Sequence, residues 1–116
     1  MQMVRIMDSN EWFVQEKQAM MEGRIEDAIE AFDQSTNLDP SSFDAWWSLG
    51  SACNLLGTQI EGEENYARAH LYKIKAAYSF DRATRADPHN ERVTKAKAYA
   101  DTIRDAQKRK KEQGYF

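Results

Sequence analysis

Two pairs of residues in this 116-residue chain recur at one fixed spacing. Trp12 and Trp46 are 34 residues apart, and Gly23 and Gly57 are also 34 apart. The Asp-Pro pairs that close the two units are instead 48 apart, which places 14 extra residues in the second unit. A fixed period of this kind indicates stacked copies of one supersecondary unit, so it constrains the fold more strongly than any single motif.

A period of 34 that opens on Trp and closes on Pro is typical of the tetratricopeptide repeat (TPR), a helix–turn–helix unit. The spacing predicts an all-α fold of two TPR repeats, the second with an insertion and a lengthened helix B, followed by a C-terminal capping helix. We expect a single TPR domain over residues 1–116. Its predicted parts are repeat one at 9–42, repeat two at 43–90 with the insertion at about 58–71, and the capping helix and basic tail at 91–112.

Composition agrees with an all-α domain and narrows the class of protein. Helix-forming residues fill most polar positions, and the chain has only two prolines and five glycines. The net charge of −3 is too small to indicate a nucleic-acid partner. A single cysteine, Cys53, excludes an internal disulfide framework and predicts a reducing, intracellular compartment. No apolar run is long enough to span a membrane, and the N-terminus lacks the pattern of a secretory signal.

Repeat one is predicted to contain two helices. Helix A is expected from about Glu11 to Met21, and Gly23 ends it because glycine enters the left-handed conformation without strain. Helix B is expected from about Ile25 to Asn37, with apolar residues at three- and four-residue spacing. Pro40 then closes the unit, because proline cannot continue a helix.

Repeat two departs from the standard unit after its first helix. Thr58–Gly62 is predicted to be a loop, and a helix of about 36 Å is predicted from about Glu63 to Ala86 at 1.5 Å per residue. This lengthened helix B is expected to brace helix A or to present a second surface. The basic run Lys108–Lys111 is interpreted as a solvated tail, with a contact to an acidic surface or to lipid headgroups as the alternative.

Small and aromatic residues at the repeat positions are predicted to form the core. Gly50 and Ala76 are expected where helices A and B of repeat two cross closely. Trp46 and Phe80 are expected to fill the wedge between the helices and the next unit. The full predicted core consists of Trp12, Ala28, Phe32, Trp46, Gly50, Cys53, Ala76 and Phe80.

The sequence predicts no catalytic, cofactor-binding or metal site. His70 and His89 are the only histidines, and neither lies at a ligand-like spacing from Cys53. The acidic stretch Glu61–Glu64 is interpreted as a solvated loop before a helix N-terminus rather than as a cation site. We therefore expect a non-enzymatic protein with no cofactor and no small-molecule substrate.

The candidate site is the concave surface, which helix A lines in TPR arrays. An apolar surface with adaptable methionines suits an amphipathic helix of a partner protein. The alternative is that its aromatic residues are covered by residues 1–8 or by the extension of helix B. A clamp for C-terminal carboxylates is not expected, since aromatic residues replace the Lys and Asn that such clamps use. The predicted partner-binding residues are Phe13, Lys17, Met20, Met21, Trp47, Ser51, Asn54 and Leu55.

A further set of residues accompanies the insertion, which is the less common feature of this chain. It comprises Asp44-Ala45, Trp47, Gly50, Ala52, Phe80, Ala83, Pro88, Asn90 and Lys111-x-Gln113-Gly114. With these residues and the insertion before a long helix B, residues 40–116 resemble the plant-type small receptor of the mitochondrial outer-membrane translocase. The resemblance implies a receptor on the cytosolic face of that membrane, which grips the apolar face of amphipathic presequence helices. A membrane is an expected partner only if a C-terminal anchor follows this chain.

The alternative function is that of a structural or assembly-factor TPR subunit. Such a subunit is expected to be held permanently inside a larger complex, in an organelle or elsewhere in the cell. A two-repeat array is below the usual minimum of three repeats for stability, so a permanent partner would contribute to its fold.

Overall fold

The computed structural model describes residues 23–116, which form four α-helices. We number the helices in chain order as α1 (Ile25–Leu38), α2 (Phe43–Gly62), α3 (Tyr66–Ala86) and α4 (Val93–Glu112). Each helix packs on the next, α1 on α2, α2 on α3 and α3 on α4. No strand occurs among the described residues. The predicted all-α helical repeat fold is therefore confirmed.

Helix B of repeat one is confirmed to within one residue as α1. Gly23 precedes it with a φ of +78°, in the left-handed region that the sequence predicted for this glycine. The Trp46 indole N–H donates to the Pro40 carbonyl at 2.9 Å, which ties the end of repeat one to the start of repeat two. The predicted helix A at Glu11–Met21, with Trp12, lies outside the described residues.

The prediction of a loop at Thr58–Gly62 is wrong, because α2 continues through these residues. Ile60, within this segment, is part of the helix and is buried in the core. The Thr58 hydroxyl donates to the Asn54 carbonyl at 2.9 Å, one turn earlier in the same helix. Helix α3 begins at Tyr66, three residues later than predicted. The insertion therefore lengthens both helices of the repeat.

A three-residue turn joins the two lengthened helices. Glu64 has a φ of +63°, and its N–H donates to the Glu61 carbonyl at 2.9 Å. The Asn65 N–H donates to the Ile60 carbonyl at 3.3 Å, which completes the hydrogen-bond pattern of a Schellman motif. The Asn65 side chain then caps α3 by accepting from the Arg68 N–H at 3.3 Å. Because both helix ends are satisfied locally, the long pair needs no further loop.

The core forms where α2 and α3 cross closely. A Cβ added at Gly50 would lie 3.1 Å from the Phe80 ring, so only glycine allows the ring to sit at this depth. Ala76 on α3 is also fully buried. All predicted core residues within the described part of the chain are buried, namely Ala28, Phe32, Trp46, Gly50, Cys53, Ala76 and Phe80.

The helical state of the inserted segment is tested by Gln59→Pro. Gln59 is exposed, so the substitution acts on the backbone alone. A proline inside α2 removes one helical hydrogen bond and clashes with the carbonyl four residues earlier, at a cost of about 3 kcal/mol. Gln59→Ala serves as the control and is expected to change the free energy of unfolding by less than about 0.5 kcal/mol. Urea denaturation measures both; equal stability of the two variants would mean that Thr58–Gly62 is not helical.

Candidate functional site

One concave feature of the described residues is a groove between α2 and α4, with α3 as its floor. We call it the α2–α4 groove; its volume is about 520 Å³. It is lined by Ser51, Asn54, Leu55, Thr58 and Glu61 from α2, Lys73 and Phe80 from α3, and Tyr99, Thr102, Ile103, Ala106, Gln107 and Lys110 from α4. Three of the predicted partner-binding residues, Ser51, Asn54 and Leu55, therefore lie together on one wall. Phe13, Lys17, Met20 and Met21 lie outside the described residues.

Aromatic rings close one end of the groove, and we call this the aromatic end (Trp47, Phe80 and Tyr99). The Trp47 ring lies 5.3 Å from Phe80 and 5.5 Å from Tyr99, measured between centroids. The Arg92 guanidinium lies over Trp47 at 5.1 Å from the ring centroid. Trp47 was predicted to face a partner; it is half-buried and packs against Phe80 and Tyr99, the two rings of this end that line the groove. Tyr99 is the exposed ring of this end.

Ion pairs connect α4 and the residue before it to the two helices of the second repeat. Arg92 pairs with Asp44 at the start of α2, and Arg104 pairs with Asp81 on α3. These pairs are partly exposed, so each contributes no more than about 1 kcal/mol. Their main effect is to fix the register of α4 on the repeat.

Polar and charged side chains close the other end, which we call the polar end (Asn54, Thr58, Glu61, Lys73 and Lys110). The Lys73 ammonium group donates to Asn54 Oδ1 and to Thr58 Oγ1, both at 2.7 Å. It also lies 3.5 Å from Glu61 Oε1. Burial lowers the pKa of Lys73, and the neighbouring charge of Glu61 opposes that shift. The lysine is thus held charged inside the fold by three acceptors.

The surroundings of Glu61 and Lys110 differ from those that the sequence predicted. Glu61 was assigned to a solvated loop, but it lies in the last turn of α2 with a mostly buried side chain and pairs with both Lys73 and Lys110. Lys110 was assigned to a solvated tail, but its ammonium group donates to Glu61. Its neighbours Lys108, Arg109 and Lys111 are exposed, as expected for the rest of the tail.

The lengthened part of α3 braces the end of α4. The Tyr66 ring lies 4.7 Å from Tyr115, and the His70 ring lies 4.4 Å from Phe116, between centroids. His70 Nδ1 is also 3.0 Å from the Gln107 side-chain oxygen. The predicted bracing role of the extension is therefore directed at α4 as well as at α2.

The fold is that of a helical-repeat protein with a concave groove, and comparison with known families agrees. Residues 20–57 match the family model described as "TPR repeat". The matched segment ends at Gly57, one residue before the predicted insertion, so the inserted residues lie beyond the general repeat pattern. This match supports a TPR protein, a class that generally mediates protein–protein interaction without catalysis. No curated protein and no solved structure matches the chain.

Neither a candidate metal site nor a membrane-spanning helix occurs within residues 23–116. In this part of the chain, no group of three His, Cys, Asp or Glu side chains is placed to hold a metal ion. None of the four helices is long and apolar enough to cross a membrane.

Sequence reasoning missed most of the residues at the polar end and on the α4 wall. Glu61 was missed because the loop prediction separated it from the helix that carries it. Lys73 was placed on the correct helix, but its contacts with α2 were not predicted. A usable signal was present: Ser51, Leu55 and Thr58 continue to Glu61 at helical spacing, which predicts one uninterrupted wall. Lys110 could not be assigned from sequence, because its partner is 49 residues away in the chain.

Cys53 is predicted to be chemically inert in the folded protein. It is fully buried, and burial raises the pKa of its thiol from 9.0 to about 12. In the unfolded chain the thiol ionises near its usual pKa, so the folded state loses stability as pH rises from about 9 towards 12. Between pH 8 and 10.5, the free energy of unfolding should fall by about 2 kcal/mol more for the wild type than for Cys53→Ala. Parallel pH profiles of the two proteins in urea denaturation would show that Cys53 ionises equally in both states.

Proposed function

We propose that this chain is a non-enzymatic protein-binding module whose α2–α4 groove holds one amphipathic helix of a partner protein. The general role of TPR repeats in protein–protein interaction supports the class. The observation that supports this particular ligand is the layout of the groove. Apolar side chains line its middle, with aromatic rings at one end and charged groups at the other.

The length of the groove suits about three turns of helix. Its α2 wall runs from Ser51 to Glu61, ten steps along the helix and about 15 Å at 1.5 Å per residue. Leu55 on one wall faces a gap bounded by Ile103 and Ala106 on the other. Apolar anchors at positions i, i+3 or i+4, and i+7 of a partner helix would follow this wall.

A narrower form of the proposal is a mitochondrial presequence receptor. The resemblance of residues 40–116 to the plant-type small translocase receptor supports it, and the ligand would then be a Leu- and Arg-bearing presequence. The groove would hold the apolar face of that helix, with the arginines turned to solvent. Location at the cytosolic face of the mitochondrial outer membrane, or inside an organellar complex, belongs to the same proposal.

A second candidate function, a structural or assembly-factor subunit, is favoured by the far side of α3. Leu71, Ile74 and Tyr78 are 69%, 42% and 50% exposed and lie on one helix face at i, i+3 and i+7. We call them the outer stripe; by helical periodicity they face away from Lys73 and Phe80. A permanent subunit would cover this stripe with a helix of its neighbour. It should then co-purify stoichiometrically with its complex, and recovery as a free monomer from native extracts would count against this function.

The groove is tested with two matched leucine substitutions. Leu55 is 43% exposed in the groove, and Leu71 is exposed on the outer stripe. Leu55→Ala should weaken binding of a labelled amphipathic helix about five- to tenfold, because it removes apolar surface that the ligand buries. Leu71→Ala makes the same chemical change outside the groove and should leave the affinity within twofold.

Fluorescence anisotropy titration measures both affinities, with the thermal midpoint of each variant as a check on folding. Equal affinities of Leu55→Ala and the wild type would contradict the proposed site. A loss confined to Leu71→Ala would move the binding surface to the outer stripe and support the subunit function.

A further inference from the structure

The polar end of the α2–α4 groove carries an excess of positive charge. Its ionisable side chains are Lys73, Lys110 and the single carboxylate Glu61. Glu61 pairs with both lysines at once, so the three groups sum to one positive charge. The charge of Lys110 also adds to the lowering of the Lys73 pKa, which shows that the two ammonium groups repel each other across Glu61.

Lys73 is fixed and has no capacity for a ligand. An ammonium group has three N–H donors. Asn54 and Thr58 each accept one of these N–H groups at 2.7 Å, and the Glu61 carboxylate lies 3.5 Å from the ammonium nitrogen. Lys73 therefore acts as a buried source of positive potential beneath the groove rather than as a direct contact.

Lys110 is the group that can reach a ligand. Within residues 23–116, the structure gives it one acceptor, Glu61, which leaves two N–H donors. Its side chain is 30% exposed at the open side of the groove. A second carboxylate beside Lys110 would neutralise the excess charge and use these donors without displacing Glu61.

We infer that the polar end selects a partner helix that places an Asp or Glu carboxylate beside Lys110. The inference rests on the proposed function and deepens it, because it names the chemistry of the ligand at one end of the groove. Apolar anchors along the wall and a carboxylate one turn beyond the last of them form a single face of a helix. A basic residue at that point would meet the excess positive charge, so a presequence-like helix binds only with its arginines turned outward.

The inference is tested with peptides that differ at one position. An 18-residue amphipathic peptide carries leucines at i, i+4 and i+7, with Glu, Gln or Lys at i+11. A second series places the variable residue at i−4, so that either direction of binding in the groove is covered. Affinities are measured by isothermal titration calorimetry at low and at high salt, for the wild type and two variants.

The variants are Lys110→Gln and its matched control Lys108→Gln. Both remove one positive charge from the last turns of α4, but Lys108 is exposed and does not line the groove. In Lys110→Gln the carboxylate of Glu61 keeps Lys73 as its partner, so the fold is retained. In one of the two series, the Glu peptide should bind the wild type about fivefold more tightly than the Gln peptide, with the Lys peptide the weakest. Lys110→Gln should bring the Glu-to-Gln ratio below twofold, whereas Lys108→Gln should preserve it.

Three outcomes would overturn the inference, and they differ in what else they affect. If none of the peptides binds, the proposed function fails and the inference fails with it. If all bind with equal affinity in both series, the groove function stands and only the charge selection is wrong. If Lys108→Gln lowers the ratio as much as Lys110→Gln, the preference reflects the net charge of the tail rather than a contact in the groove.

Discussion

The close approach of Phe80 to the backbone of α2 at Gly50 is the contact on which the rest of the structure depends. Because a Cβ at position 50 would lie 3.1 Å from the ring, the glycine allows α3 to sit deep against α2. Phe80 then makes T-shaped ring contacts with Trp47 and Tyr99, and the first turns of α4 pack on this aromatic cluster. The aromatic cluster on which α4 packs therefore includes a ring that lies directly against Gly50.

The residues of the predicted insertion contribute side chains to the polar end of the groove and contacts to the end of α4. They lengthen α2 and α3 together, so the extra turn of α2 carries Glu61 and the extra turns of α3 carry Tyr66 and His70. Glu61 meets Lys110, while His70 meets Phe116 and Gln107. The predicted insertion thus contributes Thr58 and Glu61 to the polar end of the groove, and it also contacts the end of α4 through His70.

Local patterns predicted the helical repeat and the core, and long-range contacts explain what they missed. The 34-residue period carries small and aromatic residues where helices cross in every repeat. Gly50, Ala76 and Phe80 could therefore be assigned to the core from the sequence. The loop at Thr58–Gly62 was predicted without knowledge of what the segment contacts, whereas Ile60 within it is buried in the core. The packing of α4 on the repeat determines the pairing of Glu61 with Lys110 and the partial burial of Trp47 beside Tyr99. No local spacing encodes that packing.

The most direct test of the account is a map of backbone amide shifts during titration with the Glu-bearing amphipathic peptide. A two-dimensional ¹H–¹⁵N NMR titration reports each described residue separately. Binding in the α2–α4 groove should give the largest shifts at Leu55, Thr102 and Ala106, extending to Lys110, on the two walls of the groove. Shifts confined to Leu71, Ile74 and Tyr78, or no shifts at all, would contradict it.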